Sequence, residues 1–475
     1  MHRLQPRGVE FDLAQAKSRR CVTPMPSRPD TIVAPATAAG TAALAVVRVS
    51  GPEAARIDQE LFPASSYPRT ARHGDYRDRH GKLVDDVVAT FFPGPRSYSG
   101  EDLLEISCHG SPFIVQKILE DLLARGCRAA TPGEFTQRAF LNGRLDLSQA
   151  EAVMDLIHAR SERAPAAAQQ QLRGALGRTL NQLTERLLGV LAKVEAYIDF
   201  PDEDLPAEDR TALQVALEAL WKDTDRLLAT RHYGEMLRHG IKTVIVGAPN
   251  AGKSSLLNLL VGRERAIVSP EPGTTRDYLE EQIVVGPHSL RLIDTAGLNP
   301  EPGAIEKLGI EKSLEHIAEA DLILLVIEAG RPVPEFPRAL LDRLDPTRCV
   351  VVVNKIDLAP APAGGLFAKD LPIVPTSAVT GLGYDQLVAQ ITRLADAFQV
   401  PDLEDSIAIN ARHADALDRA KCGLKDALSK LTGGGPSELL ASDLRGTLDA
   451  YGDIIGKVDN ERMLDHLFAT FCIGK

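Results

Sequence analysis

The stretch Gly247-Ala248-Pro249-Asn250-Ala251-Gly252-Lys253-Ser254 decides the fold. It follows the apolar run 242–246, opens the helix-like segment 254–261, and satisfies G-x-x-x-x-G-K-[ST] in the strand-then-helix setting that the pattern requires. In such a loop backbone N–H groups cradle phosphates. The glycines allow close approach, Lys253 reaches the β- and γ-phosphates, and Ser254 offers a hydroxyl to Mg²⁺. Ser255 continues the same turn. Three companions follow in order. Asp294-Thr295-Ala296-Gly297, after the run 290–293, puts a carboxylate within reach of the metal's water shell and a glycine N–H near the γ-phosphate. Asn354-Lys355-Ile356-Asp357 follows the run 350–353. The Asp357 carboxylate can accept from both the N1–H and N2–H₂ of guanine, donors that adenine lacks. Ser377-Ala378, after 373–375, backs the same base. Four short patterns in this order specify a guanine nucleotide site on an α/β doubly wound P-loop domain over residues 241–398.

Two positions narrow the mechanism. Leu298 stands where Ras-like proteins carry a water-orienting glutamine, so another group must orient water. The side-chain carbonyl of Asn250 can coordinate a monovalent cation beside the phosphates, where an arginine finger otherwise stabilises transition-state charge. Its bland alternative is a turn residue.

Outward from this domain the texture changes. Residues 30–145 alternate short apolar runs (32–34, 43–49, 84–92, 102–107) with turn signals and one helix at 113–125, the pattern of a small α+β domain. Residues 146–240 read as a helical part: 147–200 are rich in Ala, Leu and Gln at helical spacing, a long helix pair interrupted only at Pro165, and a further helix follows over 207–238. The acidic stretch 199–204 between them reads as a solvated corner. Helices return at 411–431 and 436–457. The α/β unit is therefore expected to be inserted into an all-α domain assembled from both flanks, with 399–475 as its second part. Residues 1–29 are an extension, disordered or an upstream start before Met25. Glu10 and Asp12, with no apolar core segment, argue against a transit peptide.

Composition sets the outer limits. The 475 residues are too many for one ordinary core. A hydrophobic content of 44% and a charged content of 25% fit a folded, water-exposed chain. No run nears the ~20 apolar residues of a membrane span, and the chain is expected in the cytoplasm. The six cysteines form no metal or disulfide spacing and read as free thiols. A net charge of −11 argues against a dedicated nucleic-acid coat protein, so any RNA contact must come from a local patch or a partner. Residues 241–396 hold 15 Lys and Arg against 20 Asp and Glu, an unsuitable docking face for phosphates. The local basic cluster Arg72, His73, Arg77, Arg79, His80 and Lys82, interleaved with Asp75 and Asp78, reads as an exposed turn.

The P-loop, then Pro272-Gly273-Thr274-Thr275-Arg276-Asp277, and above all the terminal Phe471-Cys472-Ile473-Gly474-Lys475 resemble the MnmE (TrmE) family of tRNA-modification GTPases, in the TrmE-Era-like branch. Thr31-Ile32-Val33-Ala34, Phe92-Pro93-Gly94-Pro95, Gly100-Glu101-Asp102, Cys108-His109-Gly110, residues 128–142, Leu145-Asp146-Leu147 and residues 198–204 extend the likeness across residues 31–475.

The resemblance implies an N-terminal domain that binds 5-formyl-tetrahydrofolate and dimerises, a central helical domain and an inserted GTPase. It implies a potassium-stimulated homodimer. With a FAD-dependent MnmG-type partner, in a heterotetramer, it installs an aminomethyl-type group on carbon 5 of the wobble uridine of certain tRNAs. Carried over by position, potassium is held by Asn250, the carbonyls of Ser269 and Glu271, and Thr274. Mg²⁺ is held by Ser254 and Thr275. The nucleotide contacts include Ser269, Pro270, Glu271, Pro272, Gly273, Thr274 and Thr275. Glu306 is the catalytic residue, orienting water through a bridging water. The folate positions are Arg48, Glu105, Arg144 and Lys475. A carboxylate suits the pterin donor edge and cations suit the glutamate tail. An ordinary ion pair is the other reading of Arg48 and Glu105. Where the family is glycine-rich before Arg48, this chain reads Ala38-Ala39-Gly40-Thr41-Ala42-Ala43-Leu44-Ala45, and alanine does not reproduce glycine's backbone freedom. Cys472 reads either as a thiol that adds to uracil or as a buried structural cysteine.

The competing function is an Era-like ribosome-assembly switch. It needs an RNA-binding module, and Gly174-Ala175-Leu176-Gly177, which formally matches G-x-x-G, lies in a helical stretch unlike a KH loop. Pterin binding separates the two readings. Most tRNA affinity is assigned to the partner.

Overall fold

The computed structural model describes residues 30–63, 67–199, 207–263, 281–293, 316–336, 338–361, 370–398 and 407–456, together with Leu467, Phe468, Phe471 and Gly474. By contact the chain forms two units, Met1–Leu145 with Lys457–Lys475, and Asp146–Gly456.

The first unit is built on a six-stranded sheet of order β3-β4-β5-β2-β1-β6. Its strands are β1 (Ile32–Pro35), β2 (Leu44–Ser50), β3 (Arg72–Arg77), β4 (Leu83–Phe92), β5 (Leu103–His109) and β6 (Arg128–Ala129). Period-2 alternation gives the sheet two faces. Ala45, Val47 and Val49 of β2 and Leu104 and Ile106 of β5 pack with Ile57 of α1 (Ala54–Leu61) and Ile118 and Leu122 of α2 (Pro112–Ala124). Ile32, Ala34 and Leu103 share the smaller second cluster with Phe135 of α3 (Glu134–Leu141). Arg48 and Glu105 alternate with the buried positions and are direct partners across β2 and β5.

A partly buried ion network ties α3 to the sheet. Arg138 binds Asp30 at 2.8 Å, Glu101 at 3.0 Å and Glu134 at 3.0 Å, and Arg128 binds Glu134 at 2.6 Å. These residues account for part of the family-like strings 100–102 and 128–142. Phe468 and Phe471 are buried, with ring centroids 5.1 Å apart. Residues 457–475 thus group with this unit, whereas sequence put 399–475 into one helical part.

One expectation is corrected here. Arg79, His80 and Lys82 do lie on an exposed turn between β3 and β4, but Arg72, His73 and Arg77 do not. They lie on β3, an edge strand paired with β4, and Arg72 is buried against Asp58. The burial of Tyr76 in the core selects a strand despite the charges around it.

In the second unit, α4 (Leu147–Ile157), α5 (Arg163–Leu172), α6 (Ala175–Asp199), α7 (Ala207–Leu228) and α8 (Arg231–His239) precede the α/β part. α12 (Ala411–Gly433) and α13 (Ser437–Ile455) follow it. One hydrophobic core joins Leu180, Leu187, Leu191, Leu217 and Leu220 to Leu417, Leu424, Leu444 and Ile454, so helices from both flanks form a single all-α domain. The nucleotide-binding part is an insertion in it.

Asp146 starts α4 through a capping box with Gln149, which explains the Leu145-Asp146-Leu147 string. Asn410 starts α12 in the same way with His413. Arg412 forks onto Glu151 at 2.8 and 3.0 Å, and His413 binds the same carboxylate at 2.7 Å, tying α12 to α4.

The expected break at Pro165 is also corrected. Pro165 lies in the first turn of α5, where its missing N–H costs no helical bond. The chain breaks instead around residues 158–162 and at Gly174. The single helix expected over 207–238 is two, parted at Ala229 and Thr230.

The inserted domain has a six-stranded sheet of order β12-β11-β10-β7-β9-β8. The strands are β7 (Ile241–Gly247), β8 (Glu281–Val285), β9 (His288–Leu292), β10 (Leu322–Glu328), β11 (Cys349–Asn354) and β12 (Ile373–Pro375). All neighbours are parallel except β8 with β9. β11 is buried along its whole length and β10 up to its last residue, Glu328, as a parallel sheet covered on both faces demands. The helices α9 (Lys253–Arg263), α10 (Arg338–Leu341) and α11 (Tyr384–Asp396) belong to the same part. No helix among the described residues is long and apolar enough to cross a membrane.

Candidate nucleotide site and N-terminal polar cluster

The ends of three parallel strands converge. β7 delivers the loop 247–252, β11 delivers Asn354 to Asp357, and β12 delivers Ser377 and Ala378, the side of such a sheet where ligands bind. Asn354, only 1% exposed, joins the three. Its side-chain N–H₂ donates to the Ala251 carbonyl at 3.0 Å, and its side-chain oxygen accepts the Ala378 N–H at 3.0 Å. Gly252 has φ +94°, and a Cβ there would come within 2.1 Å of the Asn354 amide nitrogen. Only glycine fits between the phosphate loop and this bridge.

Lys253 donates to the carbonyls of Gly247 at 3.0 Å and Ala248 at 2.9 Å, curling over the loop. Burial pushes its ammonium pKa down. Ser254 and Ser255 are exposed at the start of α9. Asn250 adopts φ +63° and is exposed at the loop's crest. Its left-handed backbone is the conformation asparagine tolerates best after glycine, and its amide is open to a cation. Lys355, at φ +67°, pairs with Glu328 at 3.1 Å, and Asp357 is exposed on the turn beyond it. These residues fit a bound guanine nucleotide and its metal. Ser269, Pro270, Glu271, Pro272, Gly273, Thr274, Thr275, Asp294, Thr295, Ala296, Gly297 and Glu306 lie outside the described residues.

The second polar cluster is in the first unit. The Arg48 Nε binds Glu105 at 2.7 Å, with about a fifth of Arg48 and a quarter of Glu105 exposed. The Arg48 guanidinium lies over the Tyr98 ring, 5.3 Å from its centroid, and donates to the Gly474 carbonyl at 3.5 Å. Arg144 donates to the Ser97 carbonyl at 3.2 Å, bracing the same loop. Three of the four folate positions thus gather around residues 97–98, and the fourth, Lys475, with Cys472, lies outside the described residues. Tyr98, whose hydroxyl meets Thr136 at 2.8 Å, escaped the sequence reading because an isolated aromatic between two serines carries no local signal. Ala38, Ala39, Gly40, Thr41, Ala42 and Ala43 form an exposed lead into β2. Burial pushes the thiols of Cys108 and Cys127 up to about 11, so both are inert neutral groups.

Comparison with known proteins fits this arrangement. The family description "GTP-binding protein TrmE N-terminus" matches residues 31–144 and "MnmE helical domain" matches residues 147–472. A protein of Opitutus terrae named tRNA modification GTPase MnmE is 58% identical over 455 residues, spanning 95% of this chain and all of that one. Proteins of the same name from Symbiobacterium thermophilum and Syntrophotalea carbinolica are 42% and 41% identical, each over 94% of this chain and 99% of their own length. The chain belongs to the MnmE family of tRNA modification GTPases and is a GTP hydrolase acting in tRNA modification.

Proposed function

We propose that this chain is a potassium-stimulated, homodimeric GTPase that works with a FAD-dependent MnmG-type subunit in a heterotetramer. The pair modifies carbon 5 of the wobble uridine of certain tRNAs with a carboxymethylaminomethyl-type group, using 5-formyl-tetrahydrofolate as one-carbon donor. The observation that carries the hydrolytic part is the Asn354 bridge, which links the phosphate loop at Ala251 to the base loop at Ala378. Nucleotide recognition and phosphate binding are thereby one rigid unit.

In this reading Lys253 exchanges its two loop carbonyls for phosphate oxygens. Ser254 and Thr275 hold Mg²⁺, which neutralises charge on the β- and γ-phosphates when bound. Asn250, Ser269, Glu271 and Thr274 hold potassium. Asp357 accepts from the guanine edge, while Ser377 and Ala378 close over it. Glu306 orients the attacking water, the role for which Leu298 has no chemistry. In the first unit Glu105 accepts from the pterin and Arg48 and Arg144 supply positive charge, with Lys475 completing the set. Tyr98 offers that site an aromatic face. The acidic balance of residues 241–396 leaves most tRNA affinity to the partner.

The decisive experiment is GTP hydrolysis in KCl against NaCl at equal ionic strength, across protein concentrations. A potassium-specific acceleration that grows with concentration is expected. Equal rates in both salts would remove the cation and the dimer from the mechanism.

A further inference from the structure

α9, the helix that begins at the phosphate loop, ends on the base loop. At its last residue the Arg263 guanidinium lies over the Tyr384 ring, with Cζ 5.0 Å from the centroid. The same group fills the space beside Gly381. A Cβ there would come within 2.3 Å of Nη2 and 2.9 Å of Cζ, and the backbone turns at φ +79°. Gly381 therefore allows both the turn and the close approach of the guanidinium.

The loop between Ser377 and Tyr384 is held by its own hydrogen bonds. Gly381 N–H donates to Ser377 O at 2.8 Å, Ser377 N–H to Leu382 O at 2.9 Å, Thr380 N–H to Ser377 Oγ at 3.1 Å and Tyr384 N–H to Gly381 O at 3.3 Å. Its outer side chains do not anchor it: Val379 is 81% and Leu382 61% exposed. Besides the strand pairing that ends with the Thr376 N–H donating to Val353 O at 2.8 Å, two anchors hold the loop against the rest of the domain. One anchor is the Ala251–Asn354–Ala378 bridge beside the helix start, and the other is Arg263 at the helix end.

We infer that Arg263 is a positioning residue for guanine recognition. It sets the loop carrying Ser377 and Ala378 without touching the base. This rests on the proposed reading of Asp357, Ser377 and Ala378 as base contacts. Arginine suits the task because its planar guanidinium stacks flat on an aromatic ring and against a glycine backbone, which an ammonium cannot do.

The test uses the full chain and competition against a fluorescent GDP analogue, with GDP, ADP and inorganic pyrophosphate as probes. R263A is expected to weaken GDP binding about fivefold, the scale of one exposed cation–aromatic contact, and to lower the GDP-over-ADP preference by the same factor. Pyrophosphate binding stays within about 1.5-fold of the parent and the nucleotide-free melting temperature within about 2 °C, as they must if the fold is intact. R263K fails to restore GDP affinity. Unchanged GDP affinity in R263A overturns the inference, and so does an equal loss for pyrophosphate, which has no base. D357N separates the two levels, because its amide donor matches the added carbonyl of xanthosine diphosphate. If D357N shifts preference to that nucleotide while R263A is inert, the Arg263 role alone falls. If D357N shifts nothing, the base reading falls and the inference with it.

Discussion

Asn354 holds the phosphate loop by donating its side-chain N–H₂ to the Ala251 carbonyl at 3.0 Å, across 103 positions of sequence. Because its side-chain oxygen accepts from the Ala378 N–H at 3.0 Å, the residue is a structural bridge between the two loops. Asn354→Ala removes two buried hydrogen bonds at about 1 kcal/mol each. GDP and GTP affinity should fall by a factor of about 30 in a fluorescence titration, with the loss shared by both nucleotides. Gly252→Ala should do the same by forcing the bridge apart.

Glu306→Ala should abolish turnover and leave GTP binding intact. Single-turnover hydrolysis and equilibrium binding, measured side by side, check the separation. Unchanged turnover would sink the assignment of Glu306.

The Arg48–Glu105 pair is partly exposed, so its loss should cost less than about 1 kcal/mol of stability. Arg48→Ala and Glu105→Gln should nevertheless lose at least tenfold in affinity for 5-formyl-tetrahydrofolate, with GTP hydrolysis unaltered. Calorimetric titration decides this. Wild-type pterin binding in both variants leaves them as an ion pair and no more.

Glu134 sets a pH dependence. Burial alone would raise its pKa, but Arg128, the Thr131 N–H and Arg138 outweigh that and hold the carboxyl at about 2, against an ordinary 4.5. A depressed pKa means stability fully present above the ordinary value and lost as pH falls through the folded one. Unfolding free energy should therefore drop between about pH 4.5 and about pH 2. Glu134→Gln should flatten that drop and lower stability at pH 7 by about 2 kcal/mol, the scale of a charged hydrogen bond. Urea unfolding across this range measures both. A slope identical to the parent would show that Glu134 carries none of the acid sensitivity.

The nucleotide domain was legible from sequence because its constraints are local. A loop that approaches phosphates needs glycines at particular steps, and parallel strands buried on both faces read as unbroken apolar runs such as 350–353. Period 2 revealed the first unit's strands wherever alternation was clean. It failed at β3, where Arg72, His73, Asp75 and Arg77 mask one buried tyrosine, Tyr76. Pro165 misled for a related reason, since proline forbids the middle of a helix but suits its first turn.

What the amino-acid order determined by itself is the chemistry of short segments: the phosphate loop, the Asn354 to Asp357 turn, and the helix starts at Asp146 and Asn410. Each depends on neighbours a few positions away. Only the tertiary structure decided which distant residues meet. Arg48 faces Glu105 because β2 and β5 pair in one register, Phe468 and Phe471 pack in the first unit, and Arg263 reaches Tyr384 at the far end of the helix that the phosphate loop begins. Those meetings follow from sheet pairing and helix length, which set distances in space that no spacing along the chain encodes.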